Sequence, residues 1–219
     1  SLAQFGIANA MANPTLTLVR SSDQAVIATN NDWQADSGAP QLQASGFAPA
    51  HPSEAGLFRT LPPGAYTAIV QGFGGGTGVA VVAVYEVAQP ATPLTNISTR
   101  ALVGTGNDVV IGGFVIQGSG PQTVAIVGTG PSLASFGIAN ALANPTLTIV
   151  RSSDQVVIAT NDDWQADANS AQLQAEGFAP SNPLESGVLI TLQPGAYTAI
   201  LAGVGGGTGV GVIGVYRVN

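Results

Sequence analysis

The chain opens with SLAQFGIANAMANPTLTLVRSSDQ at residues 1–24, and this stretch returns as SLASFGIANALANPTLTIVRSSDQ at residues 132–155. The match continues without a gap over residues 1–88 and 132–219, at a constant offset of 131 and with 62 identities in 88 positions. A long ungapped match of this kind indicates a duplicated structural unit. We therefore expect two copies of one fold.

Each copy is built from short runs of alternating apolar and polar residues. In TLTLVR at residues 15–20, for example, Leu16 and Leu18 share one face of an extended chain. Short strands separated by turn residues favour an all-β sandwich of the jelly-roll type. In the first copy the pattern predicts strands at residues 15–20, 25–29, 55–61, 65–71 and 78–87, with a short helical turn near residues 41–45.

Residues 89–131 have no counterpart elsewhere in the chain. Residues 89–93 (QPATP) are predicted to be a linker, and residues 94–131, here called the leading block, contain three predicted strands. The sequence thus predicts two tandem jelly-roll-like β-sandwich domains. Repeat 1 spans residues 1–88, and repeat 2 spans residues 94–219 with the leading block at its start. The leading block is a candidate for sharing between the repeats or for exchange between subunits.

Repeat 1 lacks a leading block of its own within this sequence. A sandwich without those strands exposes backbone edges and an uncovered apolar face. Three explanations stay open: the sequence is a fragment, the two repeats share one block, or a neighbouring molecule supplies the strands. The last would link subunits head to tail into a filament.

The composition excludes several classes of function. Charged residues make up 8% of the chain, against about 25% in ordinary domains, so little charge repulsion opposes self-association. The net charge is −7 without a basic cluster, which argues against nucleic-acid binding. No apolar run approaches the ~20 residues needed to span a membrane. The first residues carry no positively charged segment, so we expect any signal peptide to have been removed.

The sequence does not predict an enzyme. There is no cysteine, and the single histidine, His51, is replaced by Asn182 in the second copy. A Ser-His-Asp triad common to both copies is therefore impossible. The glycine-rich residues 205–209 precede a predicted strand rather than the helix that a phosphate-binding loop requires. They are better explained as a hairpin turn.

A polar loop repeated in both copies offers oxygen ligands for a hard cation such as calcium. An alternative is an Asx-turn that fixes the loop while a tryptophan fills the core. The spacing differs from that of an EF-hand. The candidate ligands are Asn30, Asp32 and Asp36 in one copy and Asn161, Asp163 and Asp167 in the other, with Glu54 and Glu185 as further carboxylates.

Several stretches resemble bacterial pre-peptidase C-terminal-like β-sandwich repeats. They are residues 14–18 (PTLTL), 26–33 (VIATNNDW), 61–70 (LPPGAYTAIV), 74–78 (GGGTG) and 94–100 (LTNISTR). The resemblance implies a non-catalytic accessory or structural module of secreted or surface proteins, found in tandem. Such repeats commonly begin with the LTNIST-like segment, and repeat 1 departs from that pattern.

Two functions follow as hypotheses. One is a structural subunit of an extracellular filament or surface assembly, whose partner is a second copy of the chain. The other is a non-catalytic tandem binding or adhesion module that recognises surface glycans or proteins. The low charge and the incomplete first repeat favour the filament.

Overall fold

The computed structural model describes residues 1–87 and 93–218 and is almost entirely β. Contacts between Cα atoms divide the chain into unit 1, Ser1–Pro93, and unit 2, Leu94–Asn219. The predicted linker at residues 89–93 lies outside the described residues except for Pro93. No helix in the described part of the chain is long and apolar enough to cross a membrane.

Unit 1 contains one three-stranded antiparallel sheet with the order β2-β1-β3. The described residues of unit 1 also contain three short 3-10 helices and one α-helix. The strands are β1 (Pro14–Arg20), β2 (Ala25–Asn30) and β3 (Tyr66–Gly72); the α-helix is α1 (Ala39–Ala44), and the 3-10 helices are Leu2–Phe5, Trp33–Ala35 and Phe73–Gly75.

Unit 2 is a sandwich of two four-stranded antiparallel sheets, ordered β5-β10-β7-β8 and β4-β11-β6-β9. The predicted all-β sandwich fold is confirmed. The strands are β4 (Asn96–Val103), β5 (Val110–Ile116), β6 (Gln122–Thr129), β7 (Pro145–Arg151), β8 (Val156–Asn161), β9 (Ser186–Leu192), β10 (Gly195–Gly203) and β11 (Gly209–Arg217); the α-helix is α2 (Ser170–Ala175), and the 3-10 helices are Pro131–Phe136, Trp164–Ala166 and Val204–Gly206.

The core of unit 2 lies between its two sheets. Fully buried side chains come from both layers, among them Ile126 and Ile213 from one sheet and Leu147 and Leu201 from the other. Their alternation with outward-facing residues is what a two-layer sandwich requires.

The sheet of unit 1 repeats part of this architecture. The order β2-β1-β3 corresponds to β8-β7-β10, and even the local irregularities match. The register shifts between Leu18 and Val19 in unit 1 and between Ile149 and Val150 in unit 2, at the same position of the repeat. Because the same local sequence gives the same bulge twice, this sheet is determined within the repeat itself.

Two strand predictions for unit 1 are wrong. Residues 55–61 and 78–87 are not strands, although their counterparts in unit 2 are β9 and β11. In unit 2 both pair with β6, and β11 also pairs with β4. A β-strand exists only through its ladder, so the same sequence stays irregular where those partners are missing. The short turn predicted near residues 41–45 belongs to the helix α1, whose counterpart is α2.

Candidate strand-acceptor site

Unit 2 shows how a leading block completes a repeat. The last strand of the leading block, β6, lies between β11 and β9 and pairs with both. The first strand of the block, β4, pairs with the other edge of β11. Its middle strand, β5, joins the opposite sheet beside β10. The block therefore contributes to both layers of the sandwich at once.

The block also supplies much of the core. Its side chains in the main apolar cluster are Val103, Val110, Ile116, Val124 and Ile126. Burying each Val or Ile side chain contributes about 1.5–3 kcal/mol relative to leaving it in water. Without the block, the ladders that it forms with β9, β10 and β11 and the apolar cover that it provides would be lost.

In unit 1 the corresponding surface is open. We call it the acceptor slot and define it as residues 55–61, 66–72 and 78–85. Among the described residues, β3 pairs only with β1, whereas its counterpart β10 pairs with both β7 and β5. Residues 78–85 make one isolated bridge, between Ala10 and Val79.

Side chains that are covered in unit 2 are exposed in this slot. Val82 is 41% exposed, whereas its counterpart Ile213 is 1% exposed. Val84 is 49% exposed, whereas Val215, the same residue type at the same repeat position, is 6% exposed. The difference in cover thus comes from the surroundings and not from the sequence of the segment.

The slot has kept its apolar character while the two copies diverged. At four core-facing positions it differs from unit 2 by exchange of one apolar residue for another, whereas Arg59 replaces the partly buried Ile190 and Ala55 replaces the buried Ser186. The exchanges are Leu57 for Val188, Phe58 for Leu189, Val70 for Leu201 and Val82 for Ile213. A surface that functions permanently in water has no reason to keep these residues, so the pattern favours a slot that becomes covered.

An aromatic pair lies at the same repeat position in both units, and in unit 1 it lies at the end of the acceptor slot. Phe47 stacks on Tyr85 with ring centroids 4.1 Å apart, and Phe178 packs on Tyr216 at 5.1 Å. Aromatic pairs at these distances are favourable beyond their buried area. Residues 78–85 are thus anchored near one end in unit 1 even though they form no ladder.

A glutamate marks the place where the leading block ends in unit 2. Glu185 is fully buried, and its Oε1 accepts hydrogen bonds from the backbone N–H of Gly130 (3.0 Å) and from the N–H (2.9 Å) and hydroxyl (2.5 Å) of Ser132. These bonds connect β9 to the residues that follow β6. One of the three bonds comes from the leading block, through Gly130, and the other two come from Ser132, which belongs to the repeat itself.

Its counterpart in unit 1 is Glu54, which lies beside the first residue of the chain. Glu54 Oε1 accepts hydrogen bonds from the Ser1 ammonium, at 2.8 Å, and from the Ser1 hydroxyl. Burial opposes ionisation of this carboxyl, but these hydrogen bonds outweigh it and lower the pKa of Glu54. Ser1 corresponds to Ser132, so the position equivalent to Gly130 lies before residue 1.

The predicted calcium ligands form local contacts within their loops. Asn30 and Asn161 donate to the carbonyls of Asp32 and Asp163 and accept from the N–H of Gly56 and Gly187. The bonds from Gly56 and Gly187 tie each loop to a segment 26 residues further along the chain. The Asx-turn bonds are made by Asp36 and Asp167, whose Oδ1 atoms accept from the N–H groups of Gly38 and Asn169.

The remaining candidate ligands differ between the units. The carboxylate of Asp36 is occupied by the Arg59 guanidinium through two bonds of 2.7 Å, whereas Asp167 accepts only from the N–H of Asn169 in the described contacts. The part of the chain that the structure describes contains no group of three or more His, Cys, Asp or Glu side chains placed to hold a metal. The calcium sites stay a prediction.

The Asp36–Arg59 pair is specific to unit 1, because Ile190 stands where unit 1 has Arg59. Hydrogen bonds from Arg59 lower the pKa of Asp36 despite its burial. The sequence predicted neither this ion pair nor the hydrogen bonds that Glu54 and Glu185 make to Ser1 and Ser132, although the two glutamates occupy the same position in both copies. Their partners come from distant segments, and only the folded chain brings them together.

No protein-family model and no curated protein sequence matches the chain. Among solved structures, the chain is similar to the pre-peptidase C-terminal domain of collagenase from Bacillus anthracis. The match covers 55% of this chain and 89% of that domain, at 15% identity and a TM-score of 0.35. A likeness at this level does not establish that the chain belongs to that family.

Proposed function

We propose that the chain is a non-catalytic structural subunit of an extracellular filament or surface assembly, joined by β-strand complementation at the acceptor slot. The observation that carries the proposal is the slot itself, which keeps the apolar residues of a sandwich core without the strands that cover them in unit 2. Exposed apolar faces and open strand edges are the features through which proteins add strands from another chain.

The exchange of leading blocks offers a route to a homopolymer. When unit 1 of one copy captures the block of a second copy, unit 2 of that second copy is left open and can capture the block of a third. Each step trades one filled slot for another of nearly the same sequence, so it has little net free-energy cost. The contact is head to tail and does not close on itself, which is the condition for a filament.

A disulfide staple tests this exchange directly. The hydroxyl oxygens of Thr123 on β6 and Thr191 on β9 lie 2.9 Å apart in directly opposed positions. The chain has no cysteine, so Thr123→Cys with Thr191→Cys introduces a single bridge that locks the block onto its own unit 2. We expect electron microscopy and sedimentation to show fibres or large oligomers for the reduced protein and discrete particles for the oxidised one.

The matched variant moves one cysteine to unit 1. Thr60 is the counterpart of Thr191 and is exposed. In Thr60→Cys with Thr123→Cys, oxidation after assembly should give covalently linked copies on a denaturing gel wherever unit 1 has captured the block of a neighbour. Assembly that is indifferent to the first staple, or a wild-type protein that stays monomeric at high concentration, would show the proposal to be wrong. The same samples with added calcium or a chelator test the predicted calcium sites.

A tandem binding module is the second candidate. One observation favours it: Phe5 and Phe136, at the same repeat position, are 75% and 79% exposed. Exposed aromatic residues are enriched at recognition surfaces. Under this alternative, Phe5→Ala combined with Phe136→Ala abolishes adhesion to surface glycans or proteins while leaving any self-assembly unchanged. A binding screen with that double variant as the control distinguishes the two functions.

A further inference from the structure

One sheet of unit 2 has an open edge that carries no charge. The strand β5 is the outer strand of the sheet β5-β10-β7-β8, and in the described part of the chain its ladder is formed with β10 alone. Its sequence, VIGGFVI at residues 110–116, contains no charged residue and no proline. Its outward-facing side chains Ile111 and Val115 are 54% and 62% exposed. An edge of this kind is where a further strand can add to a sheet.

The other outer strands of unit 2 have features that oppose strand addition. Strand β4 carries the exposed Arg100. Strand β8 is bulged against β7 and lies between Asp154 and Asp162 in the sequence. Strand β9 packs against the helix α2 through Leu189 and Leu173. Charges, bulges and covering elements protect the edges of natural sheets, and among the outer strands described in unit 2 only β5 has none of them.

The centre of β5 is a glycine that no contact within the described chain requires. Gly113 is exposed, its φ is not positive, and a Cβ added to it would meet no atom within 4 Å. Gly128 is the contrasting case, because a Cβ there would lie 2.5 Å from Cδ1 of Leu201 and 2.5 Å from Oγ of Ser186. Glycine destabilises the interior of a strand relative to alanine, and it often marks a place where another backbone approaches closely.

We propose that β5 pairs with β5 of a second copy of the chain, in an antiparallel ladder centred on Gly113. The two four-stranded sheets then continue into one sheet of eight strands across the pair of copies. Two-fold pairing of this kind is the commonest way in which identical chains associate. It uses the outer edge of the leading block and not the acceptor slot, so it is independent of the proposed filament. Where both interactions form, β5 joins two filaments side by side.

The partner is a second copy because the strand is complementary to itself. In the register centred on Gly113, Ile111 of one copy lies opposite Val115 of the other on the outer face of the sheet, once on each side of the centre. Cross-strand pairs of β-branched side chains stabilise a ladder, whereas like charges directly opposite one another destabilise it. The nearest charged residue, Asp108, falls opposite Gly118 and meets no like charge.

The face of β5 that points toward the core also fits this register. Phe114 of one copy lies opposite Gly112 of the other, so the largest side chain of the strand meets the smallest. Phe114 is already stacked on Tyr197, with ring centroids 5.7 Å apart, and therefore loses little further freedom on pairing. Gly112 serves its own core as well, since a Cβ there would lie 3.2 Å from Cγ2 of Ile213.

A single cysteine at the centre of β5 tests both the pairing and its register. Gly113 lies opposite itself in the proposed ladder, and the Cα atoms of opposed residues are about 4.5–5.5 Å apart, which is within reach of a disulfide. The chain has no cysteine of its own. Mild oxidation of the full chain with Gly113→Cys should therefore give a covalent dimer on a denaturing gel.

Ile111→Cys is the matched control. In the proposed register, the residues at position 111 of the two copies are four positions apart along the ladder, about 13 Å, which is too far for a disulfide. This variant alone should crosslink at least about tenfold more slowly than Gly113→Cys. A mixture of Ile111→Cys and Val115→Cys chains should crosslink as heterodimers. No dimer from Gly113→Cys, or equal rates for Gly113→Cys and Ile111→Cys, would overturn the inference.

A charge at the same position gives a second readout without a covalent bond. Gly113→Lys has free space in unit 2 but places two ammonium groups directly opposite each other in the ladder. Val157→Lys is the control, because it adds the same charge at a 55% exposed position of β8, the other edge strand of that sheet. In sedimentation, Gly113→Lys should weaken pairing by about tenfold or more and Val157→Lys by less than about twofold. Similar effects of the two substitutions would contradict pairing through β5.

The cysteine variants also separate this pairing from the filament. A chain that gives dimers through Gly113→Cys but no fibres would refute only the proposed filament. Fibres whose chains do not crosslink through position 113 would refute only the pairing of β5.

Discussion

Units 1 and 2 share most of their sequence over the repeat, yet only unit 2 forms a complete sandwich. The sheet β2-β1-β3 of unit 1 reproduces β8-β7-β10, whereas the second sheet of unit 2 has no equivalent in the described residues of unit 1. The difference lies in the leading block, which contributes β4, β5 and β6. It teaches that a strand sequence specifies a face and a register, whereas the strand itself requires partners.

The comparison of the two units also shows that an apolar residue at a given repeat position is not always buried. Val84 and Val215 are the same residue in the same repeat context, and only the second is covered. The two units thus provide an internal control for what the leading block contributes, and each of the following predictions changes one side of that control.

The largest effect is expected from Ile126→Ala. Ile126 is fully buried in β6, and the cavity should destabilise unit 2 by about 3 kcal/mol. Hydrogen exchange measured by mass spectrometry should show β11 becoming as poorly protected as residues 78–85, with β1–β3 unaffected. Leu102→Ala, at a 65% exposed position of the same block, is the control and should change stability by less than about 0.5 kcal/mol.

The valine pair gives the next largest contrast. Val215→Ala should destabilise unit 2 by about 2 kcal/mol, because it removes two buried methyl groups and leaves a cavity. Val84→Ala should change unit 1 by less than about 0.5 kcal/mol. With a copy of residues 94–131 placed before Ser1, Val84→Ala should acquire the cost of Val215→Ala. Equal effects of the two substitutions in the unaltered chain would mean that the slot is already covered.

The two glutamates should respond unequally to neutralisation. Glu185→Gln turns an acceptor with three hydrogen bonds into a neutral amide in a fully buried site, and we expect a loss of about 1–3 kcal/mol in unit 2. Glu54→Gln should have a smaller effect, because its side chain is partly exposed and its hydrogen bonds come from Ser1 and from the nearby N–H of His51. Unfolding in urea, with hydrogen exchange measured separately for each unit, distinguishes the effects of the two substitutions. A larger loss of stability from Glu54→Gln than from Glu185→Gln would contradict the role assigned to the hydrogen bonds of Glu185.

The smallest effect is expected from the ion pair that only unit 1 has. Arg59 lowers the pKa of Asp36, so the pair stabilises unit 1 above the unfolded pKa of about 3.9 and loses this contribution as the pH falls through the lower folded value. Arg59→Ile, which introduces the residue of unit 2, should reduce the stability of unit 1 at pH 7 by about 0.5–1.5 kcal/mol and flatten its acid dependence. An exposed pair serves as the control: Arg20→Ile should leave the unfolding midpoint unchanged, since Arg20 and Asp23 lie in solvent.

Most of the local architecture could be predicted from the sequence. Alternation in residues 15–20 and 25–29 predicted β1 and β2, and the repeat predicted the same strands in unit 2 as β7 and β8. β1 and β2 form a hairpin, as β7 and β8 do, so local pattern and turn chemistry are sufficient to define these two pairs. Residues 55–61 and 78–87 carried the same kind of pattern in unit 1, and there the prediction was wrong because their partners are not local.

The acceptor slot was predictable only in part. The missing block followed from the repeat alone, since residues 94–131 have a counterpart nowhere else in the chain. The relationship among Gly128, Ser186 and Leu201 could not be read from the sequence, because the three residues lie on different strands and meet only across the core. The same holds for Glu185 and Gly130, which are joined by a contact over 55 residues of chain.

The sequence by itself therefore determined the duplicated unit, its all-β class and the absence of a second leading block from residues 1–219. Tertiary structure alone decided which segments became strands, which apolar residues became core and where a glycine is required. The physical reason is that periodicity and turn residues act over a few positions, whereas ladders and close packing depend on atoms that the chain brings together from far apart.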